Sequence, residues 1–163
     1  MTSANVSTLS LRKFLSLSFT AAAVFAVAAA PQSASAQSKV SGAAISKVGR
    51  DTRKLTISAS GGASASGTIQ FIHNSPDGLT RFRGQVTCMS VSGGTLRLTG
   101  TIDKGETATG ALLDGKAFGF TVNTSSSPQT FSLPSFADVG AIAPCSGGRG
   151  DSVPVTEDGF KLQ

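Results

Sequence analysis

Tryptophan and tyrosine are absent from this 163-residue chain, histidine occurs once, and cysteine and methionine occur twice each. β-Scaffolds that recognise neutral sugars generally do so with flat Trp or Tyr platforms, so that mode of binding has no residues here. A lone histidine, His73, and two cysteines do not make the ligand sets of zinc or iron sites, and neither a metal nor a cofactor is expected. No G-x-S-x-G elbow occurs, and no basic stripe with interleaved aromatics. These gaps leave no catalytic constellation and no nucleic-acid partner to expect. Long helical periodicity is also missing after Gln37, while turn residues recur at the short spacing of all-β domains.

What is present starts with export. Arg12 and Lys13 precede an apolar run of about 17 residues, Phe14 to Ala30, and then PQSASAQ, the order of a secretory signal peptide. Ala34, Ser35 and Ala36 supply small residues for cleavage after Ala36. The expected organisation is a signal peptide at 1–36 and a single all-β domain at 37–163, secreted, with no membrane span once the leader is removed. Fourteen basic residues less Arg12 and Lys13 leave twelve against nine acids, so the mature charge is +3, not +5. Basic residues crowd the stretch up to residue 100 and acids the rest.

An oxidising destination makes the two cysteines natural partners, and a Cys88–Cys145 disulfide is expected. It would tie a C-terminal loop to the hairpin at Phe82–Ile102. In that hairpin Phe82, Gly84, Val86, Cys88 and Ser90 alternate with Arg83, Gln85, Thr87 and Met89, and Leu96, Leu98, Gly100 and Ile102 follow on the second strand. Ser92, Gly93 and Gly94 make its turn.

Further strands are expected at Val40–Val48, Arg53–Ser60, Ser66–His73, Thr107–Leu113, Ala117–Asn123, Pro128–Leu133 and Phe160–Gln163. Asn74–Gly78 and the segment Asp103–Glu106 read as turns, and Asp114-Gly115 as a type I′ turn. Pro134 and the stretch through Asp151 read as loop. The fold class is all-β, an antiparallel barrel of about eight strands or a two-sheet sandwich, with closure of the barrel favoured because it removes exposed edges.

The run Val86-Thr87-Cys88, with Val91, Gly93 and Gly100, then Asp114-Gly115 and the late Cys145, resembles a group of small secreted bacterial β-proteins of uncharacterised function. Those proteins carry a V-T-C-x-x-V-x-G strand and turn. The resemblance implies an exported β-domain with a disulfide, and it carries over no catalytic residue.

Four candidate sites remain. His73, with Asp77 nearby in sequence, would have to serve as the base of any hydrolase, but a histidine at a strand end beside a turn is ordinarily solvated. The acids Asp103 with Glu106, and Glu157 with Asp158, sit in glycine-flanked contexts without the apolar setting that separates two pKa values. Phe71, Phe82, Phe118 and Phe120 point inward and either pack as core or line an apolar pocket. Arg149, Gly150 and Asp151 spell an adhesion-like tripeptide in a glycine-rich loop. The expected function is therefore a non-catalytic extracellular binding or structural module, with a carrier of a small apolar ligand as the alternative. Its partner is unspecified, with an envelope or extracellular macromolecule as candidate.

Overall fold

The computed structural model describes residues 37–163, so the expected signal peptide at 1–36 lies outside the described residues. Ten strands follow one another: β1 (Ser38–Val48), β2 (Asp51–Gly61), β3 (Ser66–Ser75), β4 (Gly78–Ser92), β5 (Thr95–Glu106), β6 (Ala117–Asn123), β7 (Thr130–Leu133), β8 (Ser135–Ala137), β9 (Arg149–Pro154) and β10 (Glu157–Leu162). All pair antiparallel in one sheet of order β10-β1-β2-β3-β4-β5-β6-β7-β9, with β8 beside β6. The chain is all-β, and the path is that of a single curling sheet.

The ten strands occupy about eight positions around the curl, the count expected from turn spacing. β7 and β8 both lie against β6, β7 at Val122 and Asn123 and β8 at Ala117 to Gly119. Pro134, which has no N–H to give the ladder, separates them. β9 and β10 likewise form one interrupted stretch, β9 pairing with β7 and β10 with β1.

That last stretch joins the two edges. Val155 donates its N–H to the Gln129 carbonyl at 2.8 Å, and Thr156 donates to the Ile45 carbonyl at 2.7 Å. The Gln129 side chain then acts as a substitute peptide group: its Oε1 accepts from Phe160 N–H at 2.8 Å and its Nε2 donates to the Phe160 carbonyl at 3.1 Å. Gln129→Ala leaves both Phe160 groups without these partners, and an unmet half-buried pair costs about 1–2 kcal/mol. Amide exchange at Phe160 should quicken selectively in that variant; unchanged protection would mean the side chain does not hold this seam.

Alternation along the strands fills the inside. Leu55, Ile57, Ile69, Leu96, Leu98, Ile102, Val122 and Phe131 are each at most 2% exposed. Gly100 makes room for a ring: a Cβ there would sit 1.9 Å from the Gln85 carbonyl and 2.7 Å from Phe118. Gly93 and Gly94 turn the central hairpin with φ of 55° and 75°, the two positive values a type I′ turn requires.

Several expectations are corrected. The central hairpin was expected to keep Cys88 on the same face as Val86, but the pairing register shifts between Val86 and Cys88. The bulge at Thr87 reverses the alternation beyond it, which puts Met89, 2% exposed, into the core cluster and Cys88 outside it. Asp103–Glu106 is not a turn but the end of β5. Thr107–Leu113 is not a strand: Thr107 N–H bonds to the Ala111 carbonyl and Gly110 N–H to that of Thr107, leaving only an isolated bridge between Glu106 and Leu112. At Asp114-Gly115 a turn does form, closed from Lys116 N–H to the Leu113 carbonyl, but of that pair only Gly115 has positive φ. This is the type II pattern rather than I′. The segment read as loop contains β8 and the first residues of β9.

Candidate functional site

Four regions stand out. At one end of the sheet the inward-facing residues turn polar, and Ser46, Arg53, His73 and Thr80 stand in one cross-strand row. The Arg53 side chain, 12% exposed, donates to Asp51 Oδ2 at 2.7 Å. Its Nε also donates to His73 Nε2 at 3.3 Å. Asp51 Oδ2 lies 3.4 Å from the same nitrogen. The acid beside His73 is thus Asp51, not Asp77, which sits exposed in the β3–β4 turn.

In a hydrolase dyad the acid holds one ring nitrogen and the other faces the nucleophile. Here both contacts converge on Nε2. The row closes the apolar interior, with the Phe71 and His73 rings 6.4 Å apart. Ser46 is fully buried and its Oγ has no partner among the described residues. The period-two pattern of Leu55, Ile57 and Ala59, extended backward, reaches Arg53 and Asp51; that was the available signal for this cluster.

The four inward phenylalanines come together as ring-on-ring packing. Phe71, Phe82, Phe118 and Phe120 are between 0% and 3% exposed. Ring centroids lie 5.8 Å apart for Phe71–Phe82, 5.3 Å for Phe71–Phe120 and 5.6 Å for Phe82–Phe118.

Cys88 and Cys145 are joined, with Cα atoms 5.1 Å apart. The bridge pins the segment between β8 and β9 flat against β5 and β6. Cys145, at φ 54°, donates its N–H to Thr99 Oγ1 at 3.0 Å, and Gly148 donates to Thr121 Oγ1 at 3.2 Å. Only a glycine permits this approach at residue 119, where a Cβ would lie 2.7 Å from the Gly147 carbonyl. Lys116 grips Asp138 at the start of the segment; the hydrogen bond, then the ammonium charge, holds that carboxyl below its usual range. Arg149, Gly150 and Asp151 follow directly, exposed, but as the first residues of β9 and not as a loop tip. Arg149 pairs with Leu133.

On the outer face of β3, β4 and β5 lies a depression of about 480 Å³ that sequence reasoning missed. Gln70, Arg83 and Lys104 form one cross-strand row across it, and Ile72, Arg81 and Glu106 form the next. Arg81 is taken by Glu106 at 2.9 Å. Arg83 and Lys104 stand directly opposite each other, exposed. Leu112, 73% exposed, flanks the depression beside Glu106. The alternation that put Phe82 inward also put Arg81 and Arg83 outward, but Lys104 was assigned to a turn, so the juxtaposition could not be seen.

No protein family, curated protein or solved structure matches the chain.

Proposed function

We propose that this chain is exported, loses residues 1–36, and works outside the cytoplasm as a non-catalytic binding module that engages its partner through the outer face of β3–β5. The observation that carries this is the contrast between the two sides of the sheet. The inside is occupied by phenylalanine rings in mutual contact, whereas the outside holds an open groove with charged side chains in it.

Export is supported by the leader-like first 36 residues and by the disulfide, which favours an oxidising compartment. A non-catalytic role is supported by the convergence of Arg53 and Asp51 on a single nitrogen of His73. The filled interior counts against a carrier of a small apolar ligand.

The experiment is fractionation of host cells expressing the full chain or an Arg83→Gln/Lys104→Gln variant. Wild type is expected outside the cytoplasm, beginning at Gln37 and retained on envelope or extracellular material; the variant is expected in the medium. A cytoplasmic protein keeping residues 1–36 would overturn export. Equal retention of both forms would make the domain a structural module that does not use this groove.

A further inference from the structure

We propose that the groove on β3–β5 binds a phosphate monoester carrying a short aliphatic body, with the phosphate between Arg83 and Lys104 and the aliphatic part against Leu112. The assignment rests on the outward-binding reading above and names its ligand.

The first observation is an electrostatic cost left in place. Like charges directly opposite across two antiparallel strands repel, and Arg83 and Lys104 are such a pair. Among the described residues neither has a carboxylate within salt-bridge reach. Residues 1–36 contain no Asp or Glu to supply one. Two carboxylates also line the groove, Glu106 paired with Arg81 and Asp114 accepting from the Gly105 N–H at 2.8 Å, while Asp103 accepts from the Gln85 amide at 2.8 Å; none of the three lies within salt-bridge reach of Arg83 or Lys104. Two unmet cations face the same groove, and a phosphate monoester, with about −1.5 to −2 charge near neutral pH, answers both where a carboxylate answers one. Gln70 adds a neutral amide in the same row.

The second observation is the apolar flank. Leu112 ends the next row, beyond Glu106 and on the far side of the Arg81–Glu106 pair from Ile72, two residues or about 7 Å further along the strands than Lys104. That is the reach of a chain of about six carbons. A groove of about 480 Å³ falls within the range of small-ligand sites, roughly 300–1,000 Å³. Its floor is rigid, because Phe71 and Phe82 on the same strands are locked in the core.

The test is isothermal titration of the exported protein with hexyl phosphate, alongside inorganic phosphate and hexanol as the two halves of the probe. Saturable binding is expected below about 1 mM, at least about tenfold tighter than either half, and weakening as salt rises. The Arg83→Gln/Lys104→Gln variant should lose about tenfold or more in affinity while its melting temperature rises by about 1–3 °C, because the repulsion is relieved. Leu112→Asn should weaken hexyl phosphate without changing inorganic phosphate. Binding to vesicles containing phosphatidic acid, abolished in the double variant, would identify a lipid headgroup as the source; binding to the soluble ester alone would identify a free ester.

No saturation by 10 mM hexyl phosphate, equal affinity in the double variant, or a fall in its melting temperature would overturn the assignment. So would a wild-type dimer that the double variant abolishes, since the groove would then be filled by a second copy. If hexyl phosphate fails while the variant still leaves extracellular material, the ligand class falls and the binding reading stands. If neither responds, both fall.

Discussion

Replacing Cys88 and Cys145 together by alanine lowers the unfolding free energy by about 4 kcal/mol. The bridge spans 57 residues of sequence, and closing a loop of that length removes about that much chain entropy from the unfolded state. For a domain of this size the melting midpoint should fall by about 10–20 °C. The loss has a local component as well. Freed from Cys88, the segment between β8 and β9 keeps only hydrogen bonds such as Cys145 to Thr99 and Gly148 to Thr121, together with the Lys116–Asp138 pair. Exchange at those amides should therefore accelerate more than at Phe118 or Leu98. Calorimetry and hydrogen exchange on the double variant check both parts; a shift below about 3 °C would mean the bridge adds little to the curled sheet.

Phe82→Ala is the second large effect, about 3–5 kcal/mol. Its ring is the hub of the interior, within 5.8 Å of Phe71, 5.6 Å of Phe118, 6.0 Å of Phe120 and 5.4 Å of Phe136. Truncation opens a dry cavity among these rings, and such cavities take up small apolar molecules. Benzene should accordingly raise the melting temperature of Phe82→Ala while leaving wild type unchanged. The pair of results separates a filled interior from a carrier. If benzene stabilises wild type equally, the interior already has room for a ligand.

The fold was readable in the sequence wherever alternation and turn chemistry agreed. Leu55–Ala59, Ile69–Phe71 and Phe118–Val122 each declare an inner face by period two, and Gly93-Gly94 declares its hairpin. Legibility failed where one residue changes the count. Nothing local distinguishes Thr87 from its neighbours, yet its bulge carries Met89 inward and turns Cys88 toward the C-terminal segment. Asp103-Lys104-Gly105-Glu106 has the composition of a turn, but Gly105 serves instead as a close-approach residue: a Cβ there would lie 2.5 Å from the Phe82 Cβ. Misplacing that one segment hid the groove, because Lys104 meets Arg83 only if β5 continues through it. The polar cluster was hidden differently. Asp51 precedes the expected strand, and the partnership of Arg53 with His73 depends on a register that no single strand reveals.

Native mass spectrometry of the protein purified from its own host, with and without reductant, tests the central claim of a bridged, filled sheet that works from its outer face. The predicted species begins at Gln37, is two hydrogens light until reduced, and carries either no adduct or one that the Arg83→Gln/Lys104→Gln variant loses. A mass retaining residues 1–36, free thiols before reduction, or an apolar adduct that persists in that variant would contradict it.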